Sequence, residues 1–252
     1  MSRYLEGRNI VITGASSGIG RECAIECCKA GAIVHLIARN PQKLTEVSSH
    51  LEAYRYTLNT LDVTCSESIE THLKSIVESH GKIDGFIHSA GTQMTQPFHT
   101  MDKEHYIHVF SVNTFAAFDI SRYLVRNSYR SSRGLSIVFV SSVLGQVGAA
   151  GINSYCASKA ALAGGARSMA VELAARSVRV NCVSPGTIEN TEMIEELKSQ
   201  LSGEEFHKIA EKHPMGLGKT YDVAKLCVFL LSDDARWITG QNITIDGGYS
   251  IK

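Results

Sequence analysis

Seven short apolar runs rich in β-branched residues recur along the chain, and longer amphipathic stretches separate them. Parallel neighbours cannot be joined by a tight turn, so this alternation builds a parallel sheet with its crossover helices packed on both faces. The predicted strands are Asn9 to Thr13, Ile33 to Ala38, Tyr54 to Leu58, Gly85 to His88, Ser136 to Ser141, Arg179 to Val183 and Asn242 to Ile245. Continuous apolar runs of this length fit strands covered on both faces. The fold class is therefore α/β, a doubly wound seven-stranded parallel sheet. Between strands, Asn40-Pro41 places a cap and a first-turn proline before one helix, and Thr64-x-x-Glu67 predicts a capping box before another. Gly31 and Gly81 read as helix terminators.

No repeat, low-complexity tract or Pro/Gly/Ser linker interrupts the pattern, and the chain has only four prolines. One domain over residues 1–252 is expected. The exception to regularity is Glu189 to Met215, which is charged, helical in pattern and preceded by a Pro-Gly turn. It reads as a lid over a site at about 189–215, against the plainer reading of a solvated surface helix pair.

Lys plus Arg and Asp plus Glu balance at 25 each, so no surplus field is available to hold nucleic acid or an anionic membrane. The longest apolar stretches are strand-length, and Met1 to Thr13 lacks the hydrophobic core of a signal peptide. A soluble, cytoplasmic protein is expected. Its seven cysteines are odd in number and form no Cys-x-x-Cys, which fits reduced, packed thiols better than disulfides or a metal site.

Directly after the first strand comes Thr13-Gly14-Ala15-Ser16-Ser17-Gly18-Ile19-Gly20, opening into a helix. Glycines are needed in such a turn so that a diphosphate can approach bare N–H groups at a helix N-terminus, where the macrodipole favours negative charge. Ser16 and Ser17 add hydroxyl donors. The end of the second strand then separates the two nicotinamide cofactors, since an acid there would accept the ribose hydroxyls and repel a 2′-phosphate. Ile37-Ala38-Arg39-Asn40 holds no acid, and the Arg39 guanidinium suits a phosphate. NADP(H) is favoured over NAD(H), with a plain solvent-exposed arginine as the alternative.

Tyr155 and Lys159 stand four apart in a predicted helix, one turn apart on one face. A free tyrosine titrates near 10, and a nearby ammonium would lower that value toward use as an acid or base. Ser142 follows the fifth strand at the carboxyl edge, where open α/β sheets bind ligands. Tyr-x-x-x-Lys alone is common in helices; the context makes it informative.

Through Thr13 to Gly20, Asp62-Val63, Ala90-Gly91, Asn113, Ser142, Tyr155-x-x-x-Lys159 and Pro185-Gly186, the sequence resembles the short-chain dehydrogenase/reductase family along nearly its whole length. The resemblance implies a Rossmann fold and a hydride passed between NADP(H) and a carbonyl/secondary alcohol pair, with Tyr155 as general acid/base. Ser142 would stabilise the substrate oxygen, and Lys159 would hold the nicotinamide ribose. Asn113 would interrupt its helix to extend a proton relay to Lys159, and Asp62, with Val63, would line the adenine site. Ala90 and Gly91 would face the cofactor, as would Pro185, Gly186, Ile188 and Thr191. Without the resemblance, Asn113 reads equally as a satisfied core amide.

Two stretches depart from the family pattern. His88-Ser89-Ala90-Gly91 replaces the usual Asn-Asn-Ala-Gly, and on an apolar strand His88 reads as a structural residue rather than a catalytic one. Pro185-Gly186-Thr187-Ile188-Glu189-Asn190-Thr191 is one residue longer than usual, which leaves the cofactor contact of Thr191 open. The helix from Ala157, with Ala160, Ala161, Leu162, Ala163, Met169, Ala170 and Leu173, is apolar nearly all round, and Gly164-Gly165 permits close approach. It is expected to be buried twice, against the sheet and against a second subunit, giving a homodimer or homotetramer. Cys156 beside Tyr155 is assigned to packing.

The ending from Ile238 to Gly248 resembles bacterial 3-oxoacyl-acyl-carrier-protein reductases, although sugar, steroid and small-ketone reductases share it. Specificity is assigned to the loop after Gly91, to Leu144 to Gly151 and to the lid. Arg122, Arg126, Arg130 and Arg133 are scattered candidates for a carrier-protein patch, or simply a solvated helix end. Two other classes are weighed. A non-catalytic NADP(H)-binding regulator or scaffold is disfavoured by the intact Ser142, Tyr155 and Lys159. A sugar epimerase or dehydratase would be expected to carry a longer C-terminal substrate domain.

Overall fold

The β-branched runs form one seven-stranded sheet in the computed structural model, which describes residues 4–251. Residues 1–3 and 252, the ends of the expected 1–252 domain, lie outside the described residues. The strands are β1 (Asn9–Thr13), β2 (Ile33–Ala38), β3 (Tyr56–Thr60), β4 (Gly85–His88), β5 (Leu135–Val140), β6 (Val178–Pro185) and β7 (Asn242–Ile245). Every neighbouring pair is parallel, in the order β3-β2-β1-β4-β5-β6-β7. The winding reverses between β1 and β4, and a crevice opens there at the carboxyl ends of the strands.

The helices are α1 (Gly18–Lys29), α2 (Pro41–Ser48), α3 (Ser66–His80), α4 (Lys103–Phe110), α5 (Ala116–Leu124), α6 (Asn153–Leu173), α7 (Glu192–Gln200), α8 (Gly203–Ala210) and α9 (Thr220–Leu231). Two core layers follow from their apolar faces. One packs α1, α2 and α9 on the sheet through Cys23, Leu44 and Val223; the other packs α3, α5 and α6 through Ile69, Ile120 and Leu162. Each fully buried Leu or Ile contributes about 1.5–3 kcal/mol. No helix among the described residues is long and apolar enough to cross a membrane.

The Asn40 side chain accepts the Lys43 N–H and Pro41 opens α2, as expected. Gly81 caps α3 and Gly31 follows the end of α1. The capping box at Thr64 does not form. Thr64 donates through its N–H and its hydroxyl to Asp62 Oδ1, so Cys65 takes the cap position of α3 without a side-chain bond. The third strand starts two residues late, because Tyr54 sits in a turn at φ 66°. As an edge strand, β3 is only partly covered.

Helix α6 differs from its expectation on one face. Tyr155, Lys159, Leu162, Ala166, Ala170 and Leu173 are buried, but Ala160, expected in the core, faces outward with Gly164 and Val171. Of the glycine pair, Gly165 admits the Phe118 ring of α5, whose Cζ stands 2.3 Å from where a Cβ would lie.

Two fully buried histidines make acid stability predictable. Burial holds His35 and His88 down at about 3, against the ordinary 6.5, with His80 and Lys159 as the respective charged neighbours adding to the effect. Between these values the unfolded chain binds protons that the fold refuses. Stability is therefore full above about pH 6.5 and is lost as pH falls toward 3, each histidine adding a slope of up to about 1.4 kcal/mol per pH unit. The urea midpoint is expected to be clearly lower at pH 5 than at pH 7.5. Equal midpoints would show that the two rings are not held neutral.

Candidate active site

The crevice is a cleft of about 840 Å³. Its wall brings together most of the residues singled out from the sequence: Gly14, Ser16, Ser17, Gly18, Ile19, Arg39, Asp62, Val63, Ala90, Gly91, Ser142, Tyr155, Lys159, Pro185, Gly186, Ile188 and Thr191. Gly20 and Asn113 stand behind the wall, where they shape it.

At one end β1 runs into the glycine turn. Gly14 has φ +66°, and a Cβ there would meet the Ala90 backbone N at 2.7 Å, so β1 and β4 close on each other only without a side chain. Gly20 is needed for a different reason: its Cβ would lie 2.2 Å from Gly14 O, inside the turn itself. Ser17 caps α1 in an extended conformation without a side-chain bond, and the first turn holds no acid. The first N–H groups of α1 thus face the cleft with the positive end of the helix dipole. Arg39 is exposed at the mouth. Asp62 is held below the usual carboxylate range first by the Thr64 N–H and then by the Thr64 hydroxyl, with Arg39 and His108 contributing.

At the other end, β5 delivers Ser142 and α6 delivers Tyr155 and Lys159. Ser142 Oγ accepts the Leu144 N–H at 3.1 Å, which leaves its proton free to point at another oxygen; Tyr155 hydrogen-bonds with it. The lowering expected for Tyr155 does not occur. Burial pushes it up to about 12, and the Ser142 bond pulls only partly back. Lys159 is not among the groups that lower it; Nζ donates to Val140 O at 2.7 Å and stands 5.7 Å from the ring centroid. Burial in turn lowers Lys159 to about 8. Tyr155 is therefore a protonated donor at neutral pH, and Lys159 a cation that is easily discharged.

Asn113 lies at the centre of a π-helical turn, Ser111–Phe115, between α4 and α5. It is fully buried; Oδ1 accepts the Thr92 N–H at 2.7 Å, and Nδ2 donates to Thr92 O and Ser158 Oγ at 3.0 and 2.9 Å. The interruption of the helix is present, and the amide ties the loop after Gly91 to α6. A side chain on Gly91 would lie 3.5 Å from both Asn113 Oδ1 and Lys159 Nζ.

The longer Pro185-Gly186 loop brings Thr191 onto the glycine turn, its methyl 3.5 Å from where a Gly18 Cβ would stand, while its hydroxyl donates to Ile188 O. The 189–215 segment is helical as expected, and Met193, Ile194, Glu196, Leu197 and Gln200 of α7 line the cleft. An ion pair between Glu192 and Lys43 of α2 joins it to the opposite rim. Val147 and Gly148 wall a separate hollow with Lys212, Tyr249 and Ser250 rather than the main cleft.

His108 of α4 was not legible as a cleft residue; it lines the cleft with Val112 of the π-helical turn. The four arginines considered as a docking patch are all engaged within the chain. Arg122 pairs with Asp119, Arg126 with Glu70, Arg130 donates to Arg176 O, and Arg133 pairs with the buried Asp84. Among the described residues no cluster of three or more His, Cys, Asp or Glu side chains could hold a metal, and all seven cysteines are free.

Comparison with known proteins agrees with this geometry. Residues 14–250 match the family model described as Enoyl-(Acyl carrier protein) reductase. The chain is 35% identical to the 3-oxoacyl-[acyl-carrier-protein] reductase of Haemophilus influenzae over 97% of its own length and 98% of the relative. It is 35% identical to the enzyme of that name from Thermotoga maritima, over 98% and 99%, and 33% identical to that of Escherichia coli, over 96% and 97%. With the parallel seven-stranded sheet, the glycine turn on β1 and the Tyr155/Lys159 pair on α6 in one cleft, the chain belongs to the short-chain dehydrogenase/reductase family, an oxidoreductase of the carbonyl/alcohol class.

Proposed function

We propose that the protein reduces the ketone of a 3-oxoacyl thioester with NADPH, using Tyr155 as the proton donor. The observation that carries this reading is the meeting of Ser142, Tyr155 and Lys159 on one wall of the cleft, with the glycine turn and Arg39 on the other. The glycine cradle fits a diphosphate: two Cβ positions are blocked by backbone, and the α1 N-terminus is uncapped by side chains. Arg39 and the missing acid favour a 2′-phosphate, hence NADPH over NADH. Bound there, the cofactor supplies the hydride.

The chain's own groups supply the rest. Ser142, its oxygen held by the Leu144 N–H, donates its proton to the substrate oxygen. Tyr155 gives that oxygen its proton as negative charge develops. Behind Gly91, Asn113 ties the Thr92 loop to α6, the helix that carries Tyr155 and Lys159. Thioester substrates are supported by the three named relatives, whose names specify 3-oxoacyl groups on acyl-carrier protein, and by Met94, Met193, Ile194 and Leu197, flexible apolar side chains on the cleft wall.

The whole chain works as one Rossmann-fold unit, with 189–215 as its lid. The outward face of α6, with Val171 84% exposed, supports a homodimer or homotetramer. Seven free thiols fit a reducing compartment such as the cytoplasm.

The test is NADPH consumption with a 3-oxoacyl thioester and, separately, with a 2-enoyl thioester. Turnover of the first alone supports the reading; turnover of the second alone would replace ketone reduction by reduction of a carbon–carbon double bond. In the same assay Arg39→Ala is expected to raise the NADPH Kd by about 10- to 100-fold, the worth of a charge-assisted contact, and to leave NADH binding nearly unchanged. Equal losses for both cofactors would remove Arg39 from the phosphate site.

A further inference from the structure

His88 stands where the family pattern has an asparagine, and its surroundings give it a single role. The ring is completely buried at the end of β4. Nε2 lies 3.1 Å from Val112 O, inside the π-helical turn, and Nδ1 lies 2.9 Å from Thr13 Oγ1, at the end of β1. A carbonyl oxygen can only accept, so Nε2 carries the proton and Nδ1 is left to accept from the Thr13 hydroxyl. Thr13 Oγ1 in turn lies 3.4 Å from the Ala90 N–H, which it accepts. The donors thus run in one direction, Ala90 to Thr13, Thr13 to His88, His88 to Val112, and reversing any member would leave a buried group unpaired.

The ends of this chain are the two parts of the site that must be held in register. Ala90 and Gly91 form the cleft wall, and Val112 immediately precedes Asn113. A π-turn leaves carbonyls without the helical partner they would otherwise have, and such turns persist where something outside the helix satisfies them. His88 reaches the turn from outside at Val112 O, one residue before the side chain that bridges Thr92 and Ser158.

We propose that His88 is a positioning residue for proton transfer: as the neutral Nε2–H tautomer it props the Val112 carbonyl, keeps the π-turn formed, and so holds Asn113 on Thr92 and Ser158, behind Gly91. It touches neither substrate nor cofactor. The inference rests on the catalytic reading above, and it acts on turnover through Asn113 rather than on cofactor binding.

Three measurements on the full-length protein test it. Nitrogen-15 NMR of histidine-labelled protein, with the His88 signals identified by their loss in His88→Gln, is expected to show the Nε2–H tautomer at neutral pH. The Nδ1–H tautomer would overturn the proposal without reference to activity. In kinetics, His88→Leu is expected to lower kcat about tenfold or more with the NADPH Kd changed less than about threefold, the effect of stranding one buried acceptor. His88→Gln, whose amide can reach Val112 O, is expected to stay within about threefold of the parent on the same reasoning. In an Asn113→Ala background His88→Leu should cost less than about twofold more, because two residues acting through one group are not additive. Equal losses in the Gln and Leu variants, or losses that multiply across the double variant, would overturn the proposal. If Tyr155→Phe retained turnover, the catalytic reading would fail instead, while the tautomer measurement would still report on His88. Should the Leu variant not fold, the tautomer and the Gln variant decide the matter.

Discussion

Tyr155→Phe is expected to lower kcat by about 10²- to 10⁴-fold, the span that a positioned general acid contributes, with the NADPH Kd essentially unchanged. The side chain is buried and loses only its hydroxyl, so packing on α6 is kept. What is lost is a proton donor whose pKa, about 12, keeps it protonated at neutral pH until charge develops on the substrate oxygen. Ser142 keeps its bond to Leu144 and can still polarise a substrate oxygen, which is why residual turnover should exceed the uncatalysed rate. The measurement is steady-state kinetics beside fluorescence titration with NADPH. A variant with half the parent's kcat would remove Tyr155 from the role of acid.

Gly20→Ala should produce the opposite division of effects: the cofactor site fails first. The new methyl would sit 2.2 Å from Gly14 O, a backbone atom with no freedom to withdraw. Either the turn opens or α1 moves off β1, and overpacking of this kind costs about 1–3 kcal/mol or more. Because the strain falls in the turn that would bind the diphosphate, the NADPH Kd is expected to rise at least about tenfold, with a falling melting temperature, on the same strain argument. Unchanged affinity and melting temperature would mean that the turn tolerates a side chain and that the cradle argument is wrong.

Strand existence and order of elements were legible because the apolar runs of a doubly buried sheet leave little alternative. The errors sit where a local side chain overrode the pattern. Thr64 was read as a cap, but Asp62, two residues earlier, captured both of its donors. Ala160 counted as core by composition; the direction of α6 is set by Tyr155 and Lys159 facing the cleft, and this turns Ala160 outward. The cleft residues followed from motif position, since the carboxyl edge of a parallel sheet is fixed once the strands are known. The titration of Tyr155 did not. A spacing of four residues shows that Lys159 can reach Tyr155, but not that Val140 O takes the ammonium first. His88 was legible only as a structural residue, because what it holds depends on a π-turn more than twenty residues away.

The cleft is also a seam. One end is built by the ends of β1 and β2 and the start of α1, the other by β5, α6 and β6, and the start of α7 crosses back through Thr191 against Gly18 and Glu192 against Lys43. A dinucleotide lying along it would hold both halves at once. Its two ends would bind as tethered modules, each raising the effective concentration of the other, so either half alone would forfeit far more affinity than its share of the contacts.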